Sequence, residues 1–322
     1  MEQTAPRNDS FQRKRPNGLT AILVPCYNEA ATIAGVIEGF RANLPGCEIH
    51  VYDNCSDDDT VARARAAGAI VRSERRQGKG HVVRRMFADI DADCYVLVDG
   101  DDTYDPAAAG QAVALVLNEG YDFINIARVA TGAAAYRRGH QLGNRVLTRM
   151  VQTFFGRQIS DMLSGYKVLS RRFVKSFPAM SFGFETETEL TVHALEMRMP
   201  MDEFSAPYKE RPAGSTSKLR TYRDGAAILL VISRLIKDER PFGFFGLIGL
   251  AIVLLGIALG IPVIVTYFET GLVPRFPTAI LSVGLIMLGW LSIFTGIILD
   301  VVTKARQEIK RLTYLSIDRR AK

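Results

Sequence analysis

The chemistry-bearing residues cluster where an apolar run stops. Val96-Leu97-Val98 reads as a buried strand that ends in Asp99-Gly100-Asp101-Asp102. Carboxylates at a strand end, with a glycine between the first two, suit a hard cation such as Mg²⁺ or Mn²⁺. Such an ion takes few protein ligands and leaves room for phosphate oxygens. Asp99 and Asp101 are the candidate metal ligands, and Asp102 and Asp105 are expected to cap a helix opening near Pro106. Two further polar groups also follow strand-like runs. Pro25, Tyr27, Asn28 and Glu29 end the first, and Asp53-Asn54 the second, with Ser56 or Asp57 placed to cap the next helix. Arg75-Arg76-Gln77-Gly78-Lys79-Gly80 sets two glycines around a lysine ahead of a helix, where backbone can approach a phosphate and Lys79 supplies charge.

The elements that must position these residues follow from periodicity. Strand-like runs fall at Thr20–Val24, Glu48–Tyr52, Ala69–Arg72, Cys94–Val98 and Asp122–Ala127. Helical stretches lie between them, the first with Ile33, Val36, Ile37, Phe40 and Leu44 on one face. The others run from about 59 to 67, 79 to 90 and 106 to 118, and a further helix is expected over 185–197. This alternation predicts an α/β domain with a mostly parallel, doubly wound sheet, which binds ligands beyond the carboxyl ends of its strands. All the polar groups above then share one rim. A basic stretch, with Arg137, Arg138, His140, Arg145 and Arg149, follows in a less regular part.

The carboxyl-terminal third differs. Phe242–Phe268 and Phe276–Leu299 carry no charged residue, and each exceeds the roughly 20 residues that cross a bilayer. The stretch 219–240 reads as an amphipathic helix on a membrane surface. Arg234, Lys237 and Arg240 precede the first run, and Lys304, Arg306, Lys310 and Arg311 follow the second. By the positive-inside rule both termini and the catalytic domain face the cytoplasm. The organisation expected is a disordered basic arm at 1–17, a catalytic domain at 18–218, the surface helix at 219–240, a two-span hairpin at 241–300 and a basic cytoplasmic tail at 301–322.

Composition narrows the partners. A net charge of +6 with 48% hydrophobic residues, and no nucleic-acid-binding signature, favours lipid head groups and phosphates over RNA or DNA. The amino terminus has no apolar segment of a signal peptide. Cys26, Cys47, Cys55 and Cys94 lack paired spacing and suit a reducing compartment. Met197, Met199 and Met201 read as core fillers, and His81, His140 and His193 lack metal-ligand spacing.

In combination these residues resemble family 2 of the inverting glycosyltransferases, in the branch of dolichyl-phosphate mannose and glucose synthases. The resemblance rests on Pro25–Glu29, Asp53–Thr60, Asp99-Gly100-Asp101, Asp161–Lys167, Gly183–Glu187 and Arg211–Lys218, in that order along the chain. Asn54 and Cys55 depart from the family's usual Asp-Asp-Gly-Ser. The resemblance implies a GT-A fold and a nucleotide-sugar donor, with Pro25, Tyr27, Asn28, Glu29 and Asp53 lining the nucleoside pocket. Asn54 and Lys79 would join the donor-binding set. Asp99, Gly100 and Asp101 would hold the cation and diphosphate, and Asp161 with 164–167 would border the donor sugar. Arg211, Ser217 and Lys218 would belong to a mobile segment over the diphosphate.

The expected activity is transfer of one sugar to polyprenyl phosphate, with UDP-sugars favoured and GDP-mannose open. A lipid monophosphate is already largely anionic at neutral pH, with a second pKa of about 6. It needs positioning and charge neutralisation more than a base, so Arg128, Arg137, Arg138 and Arg145 are candidate acceptor-phosphate ligands. Asp161 and Glu187, with Glu185, are candidates to orient sugar hydroxyls. Two alternatives remain. A processive polysaccharide synthase usually carries Gln-x-x-Arg-Trp, whereas the one tryptophan here, Trp290, lies in the second apolar run. A non-catalytic nucleotide-sugar-binding membrane adaptor would bind donor without turnover. Two spans make a small anchor, compatible with a homo-oligomer.

Overall fold

A computed structural model describes residues 18–130, 159–179, 186–209, 237 and 240–318. Among these residues, seven strands form one sheet in the order β3-β2-β1-β4-β6-β5-β7. They are β1 (Thr20–Cys26), β2 (Glu48–Asp53), β3 (Ile70–Ser73), β4 (Cys94–Leu97), β5 (Phe123–Ala130), β6 (Lys167–Ser170) and β7 (Met201–Tyr208). The helices between them are α1 (Ile33–Asn43), α2 (Thr60–Ala66), α3 (Lys79–Asp89), α4 (Ala108–Ala114), α5 (Arg171–Ser176) and α6 (Thr186–Glu196).

Strands β1 to β4 pair in parallel, with Thr20 beside Cys94 and Cys26 beside Asp53. Their residues alternate between two apolar faces, as a sheet covered on both sides requires. Ala21, Leu23, Tyr52, Tyr95 and Leu97 pack with Val82, Val83 and Met86 of α3 and Phe173 of α5. Ile22, Val24, Val51 and Val96 pack with Ile33, Val36 and Ile37 of α1, Ala64 of α2 and Ala109 of α4. Met197 and Met199 are buried in the first of these cores, as their apolar character suggests.

The carboxyl half contains elements that periodicity did not disclose. β6 is too short to show a period and runs antiparallel to both β4 and β5, and β7 is parallel to β5. This insertion mixes the otherwise parallel sheet. It also brings the segment 161–166, which precedes β6, to the same rim as the ends of β1, β2 and β4.

Two long helices follow, α7 (Pro241–Thr270) and α8 (Phe276–Ser316), each long and apolar enough to cross a membrane. Only 11% of the most apolar window of each is buried, which sets them apart from core helices of a soluble globule. They cross at small residues. A Cβ on Gly249 would lie 2.6 Å from the Gly289 carbonyl oxygen, and Ser282 Oγ donates to the Gly256 carbonyl at 2.8 Å. Helix α8 runs on to Ser316, through most of the segment expected as a basic tail. Most of the expected surface helix at 219–240 lies outside the described residues.

A candidate donor site at the sheet rim

The loop after β4 is built around Asp99 and Asp101. Asp102 takes a left-handed φ of 54°, which turns the chain sharply after Asp101. Asp101 is 3% exposed, and its Oδ1 accepts from Thr103 Oγ1 at 2.6 Å. Asp99 projects further into the cleft. A Cβ on Gly165 would overlap the Asp99 carboxylate, so the backbone of the 161–166 loop closes against it because residue 165 is glycine. Tyr104 fastens the same loop, its hydroxyl accepting from the Gly165 N–H at 2.8 Å and its ring packing edge-on to Tyr166 and Tyr208. Neither Asp102 nor Asp105 is the cap residue of α4; Asp105 instead closes the turn leading into it, accepting from the Ala107 N–H at 3.0 Å.

Lys79 is the centre of the site. Its ammonium pairs with both Asp99 and Glu187, and the lysine and glutamate side chains are 10% and 7% exposed. Burial opposes its charge, but the two carboxylates outweigh burial and hold the ammonium above the ordinary lysine range. The ammonium thus supplies positive charge directly beside Asp99. Glu187 Oε2 accepts no hydrogen bond among the described residues.

Asp161 and Arg128, expected on different substrates, are partners. Arg128 Nε and Nη2 donate to Asp161 Oδ2 and Oδ1 at 2.7 and 2.8 Å, and the Arg128 N–H also reaches Oδ2 at 3.1 Å. This fork is the geometry in which guanidinium and carboxylate bind most strongly. Arg128 also lies 5.5 Å from the Tyr208 ring centre.

The first two strand ends are tied to each other. The Asn28 N–H donates to Ser56 Oγ at 2.9 Å and Asn28 Oδ1 accepts from the Asp57 N–H at 2.8 Å. The Glu29 N–H donates to Thr60 Oγ1 at 2.8 Å. Asp53 accepts from the Ser56 N–H. Ser56 and Asp57 do not cap α2; Asp58 closes the turn leading into it, accepting from the Thr60 N–H at 3.0 Å. Asn54, expected in the donor-binding set, also braces a neighbouring loop. Its Nδ2 donates to the Glu74 and Arg76 carbonyls, and its Oδ1 accepts from the Gly78 N–H at 2.7 Å. With both amide hydrogens engaged, Asn54 shapes the loop that delivers Lys79.

Beneath the 161–166 loop lies a network that sequence reasoning missed. Lys167 is fully buried and donates to Asn125 Oδ1 at 2.7 Å, while Asn125 Nδ2 donates to the Asp161 carbonyl and to Glu203 Oε2. Burial depresses the Lys167 ammonium to about 8, against the pull of Glu187, Asp161 and Glu203. The signal was present in Asn125, a carboxamide in the middle of an apolar strand. Arg137, Arg138, Arg145, Arg211, Ser217 and Lys218 lie outside the described residues.

The donor set at Asp99 and Asp101 is all oxygen, which suits a hard divalent ion that a diphosphate also ligates. Among the described residues no three His, Cys, Asp or Glu side chains converge as a protein-only metal cage. Two carboxylates in one short loop could share such an ion with a diphosphate.

Comparison with known proteins decides the family. The family model for glycosyl transferase family 2 matches residues 21–177. Glycosyltransferase AglJ of Haloferax volcanii is 32% identical over 297 residues, covering 91% of this chain and 97% of that protein. The chain belongs to glycosyltransferase family 2. Dolichyl-phosphate hexose transferase of the same organism is 29% identical over 220 residues, covering 68% of this chain and 95% of that one. Glucosyl-3-phosphoglycerate synthase of Mycobacterium tuberculosis, solved with Mn²⁺, UDP and glucosyl-3-phosphoglycerate, superposes with a TM-score of 0.57 at 26% identity. The match covers 68% of this chain and 79% of that structure. The fold is therefore GT-A-like, and in this glycosyltransferase the Asp99–Asp101 loop occupies the rim where such sheets bind ligands.

Proposed function

We propose that this glycosyltransferase moves a single sugar, with inversion, from a nucleotide-sugar to polyprenyl phosphate at the cytoplasmic face of a membrane. The observation that carries this reading is the union of the Lys79–Asp99–Glu187 rim with two apolar helices whose surfaces are left uncovered. An enzyme so anchored meets acceptors that reside in the bilayer. The name of the dolichyl-phosphate hexose transferase relative supports a polyprenyl-phosphate acceptor. The Mn²⁺ and UDP of the mycobacterial neighbour support a uridine donor and a divalent ion, with Mg²⁺ as the alternative ion and GDP-mannose as the alternative donor.

In this reading Asp99 and Asp101 hold the ion, which would neutralise the departing diphosphate. Lys79 adds charge at the same place and leaves Asp99 when the donor arrives. Pro25, Tyr27, Asn28, Glu29 and Asp53 border the nucleoside, and Arg211, Ser217 and Lys218 cover the diphosphate. Asp161 and Glu187 orient the sugar. The acceptor phosphate, guided by Arg128, Arg137, Arg138 and Arg145, places an anionic oxygen in line with the anomeric carbon. A new carbon–oxygen bond forms as the bond to the diphosphate breaks, and the nucleoside diphosphate leaves with that electron pair. No proton need be removed from the nucleophile.

The test is purified full-length protein with UDP-glucose, UDP-N-acetylglucosamine or GDP-mannose and polyprenyl phosphate, read by mass spectrometry of the lipid. One sugar per lipid is expected, lost with Asp101→Ala and with EDTA. A ladder of polymers would favour a processive synthase. Donor binding without nucleoside diphosphate release would favour an adaptor.

A further inference from the structure

The extension of α8 reaches the edge of the sheet opposite the donor rim. Asp122, wholly buried, sits there at the start of β5. Its Oδ1 accepts from Ser170 Oγ at 2.6 Å and its Oδ2 from the Tyr314 hydroxyl at 2.5 Å. The Tyr314 ring lies 4.2 Å from the Arg172 guanidinium carbon and 5.0 Å from that of Arg311. One turn earlier, Lys310 pairs with Glu196 at 2.9 Å and Arg311 Nη1 donates to the Met197 carbonyl at 3.0 Å. Glu196 ends α6, the helix whose first turn carries Glu187 at the rim. These contacts therefore lie at the base of the domain.

Length and burial then set the direction. Charge begins on α8 at Asp300, and the 14 residues from there to Tyr314 span about 21 Å at a helical rise of 1.5 Å. The seven residues of β1 span about 23 Å from base to rim. Thr303, Gln307, Lys310 and Tyr314 recur every three or four residues on one face. Thr303 and Tyr314 are buried, and the other two are partly covered. One face of the stem is thus buried or partly covered from Thr303 to Tyr314, while Val301, Val302, Ile309 and Leu312 on its other sides stay exposed.

We infer that α8 is a strut that hangs the catalytic domain rim-down on the bilayer, with the buried Tyr314–Asp122 pair as its latch. This rests on the reading that α7 and α8 span a membrane. Latching the base about 21 Å above the first charged residue of α8 leaves the rim, one strand length below, at head-group depth. Tyr314 is a positioning residue here. It touches no substrate and acts by fixing the height and facing of the site.

The experiment uses full-length protein in liposomes carrying a head-group nitroxide quencher. A fluorophore is placed on the native exposed Cys55 at the rim (Cys47→Ser background) or on Asn43→Cys at the base (Cys47→Ser, Cys55→Ser background). Stronger quenching at the rim than at the base is expected, with the difference lost in Tyr314→Ala and reduced in Tyr314→Phe, which keeps the ring and loses only the hydroxyl. Equal quenching at the two sites, or a difference that survives Tyr314→Ala, overturns the strut. Release from the vesicles by alkaline carbonate overturns the spanning reading, and the strut with it. A second readout compares acceptors. Tyr314→Ala is expected to lose transfer to bilayer polyprenyl phosphate and to retain transfer to a short, water-soluble prenyl phosphate. Equal loss on both marks a merely structural contact and overturns the inference.

Discussion

Lys79 and Asp99 form an ion pair that only the tertiary fold creates, because 20 residues and a strand separate them. With Glu187 on its other side, the ammonium bridges two carboxylates that would otherwise repel each other. In the proposed reaction the same cation would meet the donor diphosphate.

Lys79→Met should therefore damage stability as well as activity. It leaves buried Glu187 without its counter-charge, at a cost of about 3–5 kcal/mol. Adding Glu187→Gln should recover most of that loss in thermal melts while sugar transfer stays absent. A double variant as unstable as Lys79→Met would show that Glu187 is not the uncompensated charge.

The Arg128–Asp161 fork predicts a different pattern. Arg128→Lys keeps the charge and loses the paired geometry, so melts should change little while turnover falls about ten- to a hundredfold through misplacement of the 161–166 loop. Steady-state kinetics with varied acceptor check this, and wild-type turnover in Arg128→Lys would remove the fork from the mechanism.

His193 predicts acid sensitivity. It is buried edge-on against Phe173 and Phe177, and burial, with Lys310 adding to it, pushes its imidazolium down to about 3. The unfolded chain takes up that proton below its ordinary value of 6.5, whereas the folded chain refuses it until near 3. Stability from this group is complete above 6.5 and is lost as pH falls toward 3. His193→Leu should flatten the fall in melting temperature between neutral pH and about pH 5. An unchanged slope would assign the acid sensitivity to other groups.

Cys55 occupies a left-handed turn, with φ of 66°, at the position where the family motif carries glycine. Cys55→Gly should relieve about 1 kcal/mol of strain, partly offset by the lost thiol contact to the Arg75 carbonyl at 3.3 Å. Chemical denaturation measures the balance, and a clear loss of stability would mean that the thiol contact dominates.

Much of this molecule was legible along the chain. Helices from Ile33 to Ala114 declared themselves because each buries one face, and strands such as β1 and β4 as short apolar runs buried on both faces. Uncharged runs of 27 and 24 residues announced α7 and α8, since no other environment tolerates them as readily. The carboxylates after β4 stood out because like charges rarely adjoin without a ligand to neutralise them. What the chain alone did not disclose are relationships between distant side chains. Short strands such as β6 show no period, so neither its antiparallel insertion nor the buried Lys167–Asn125–Glu203 network was foreseen. Pairing of Lys79 with Glu187, of Arg128 with Asp161 and of Tyr314 with Asp122 joins residues 33 to 192 positions apart. Charge complementarity has no range along a sequence. Those partners were chosen only when the sheet brought one set of strand ends to the rim and the opposite set to the base.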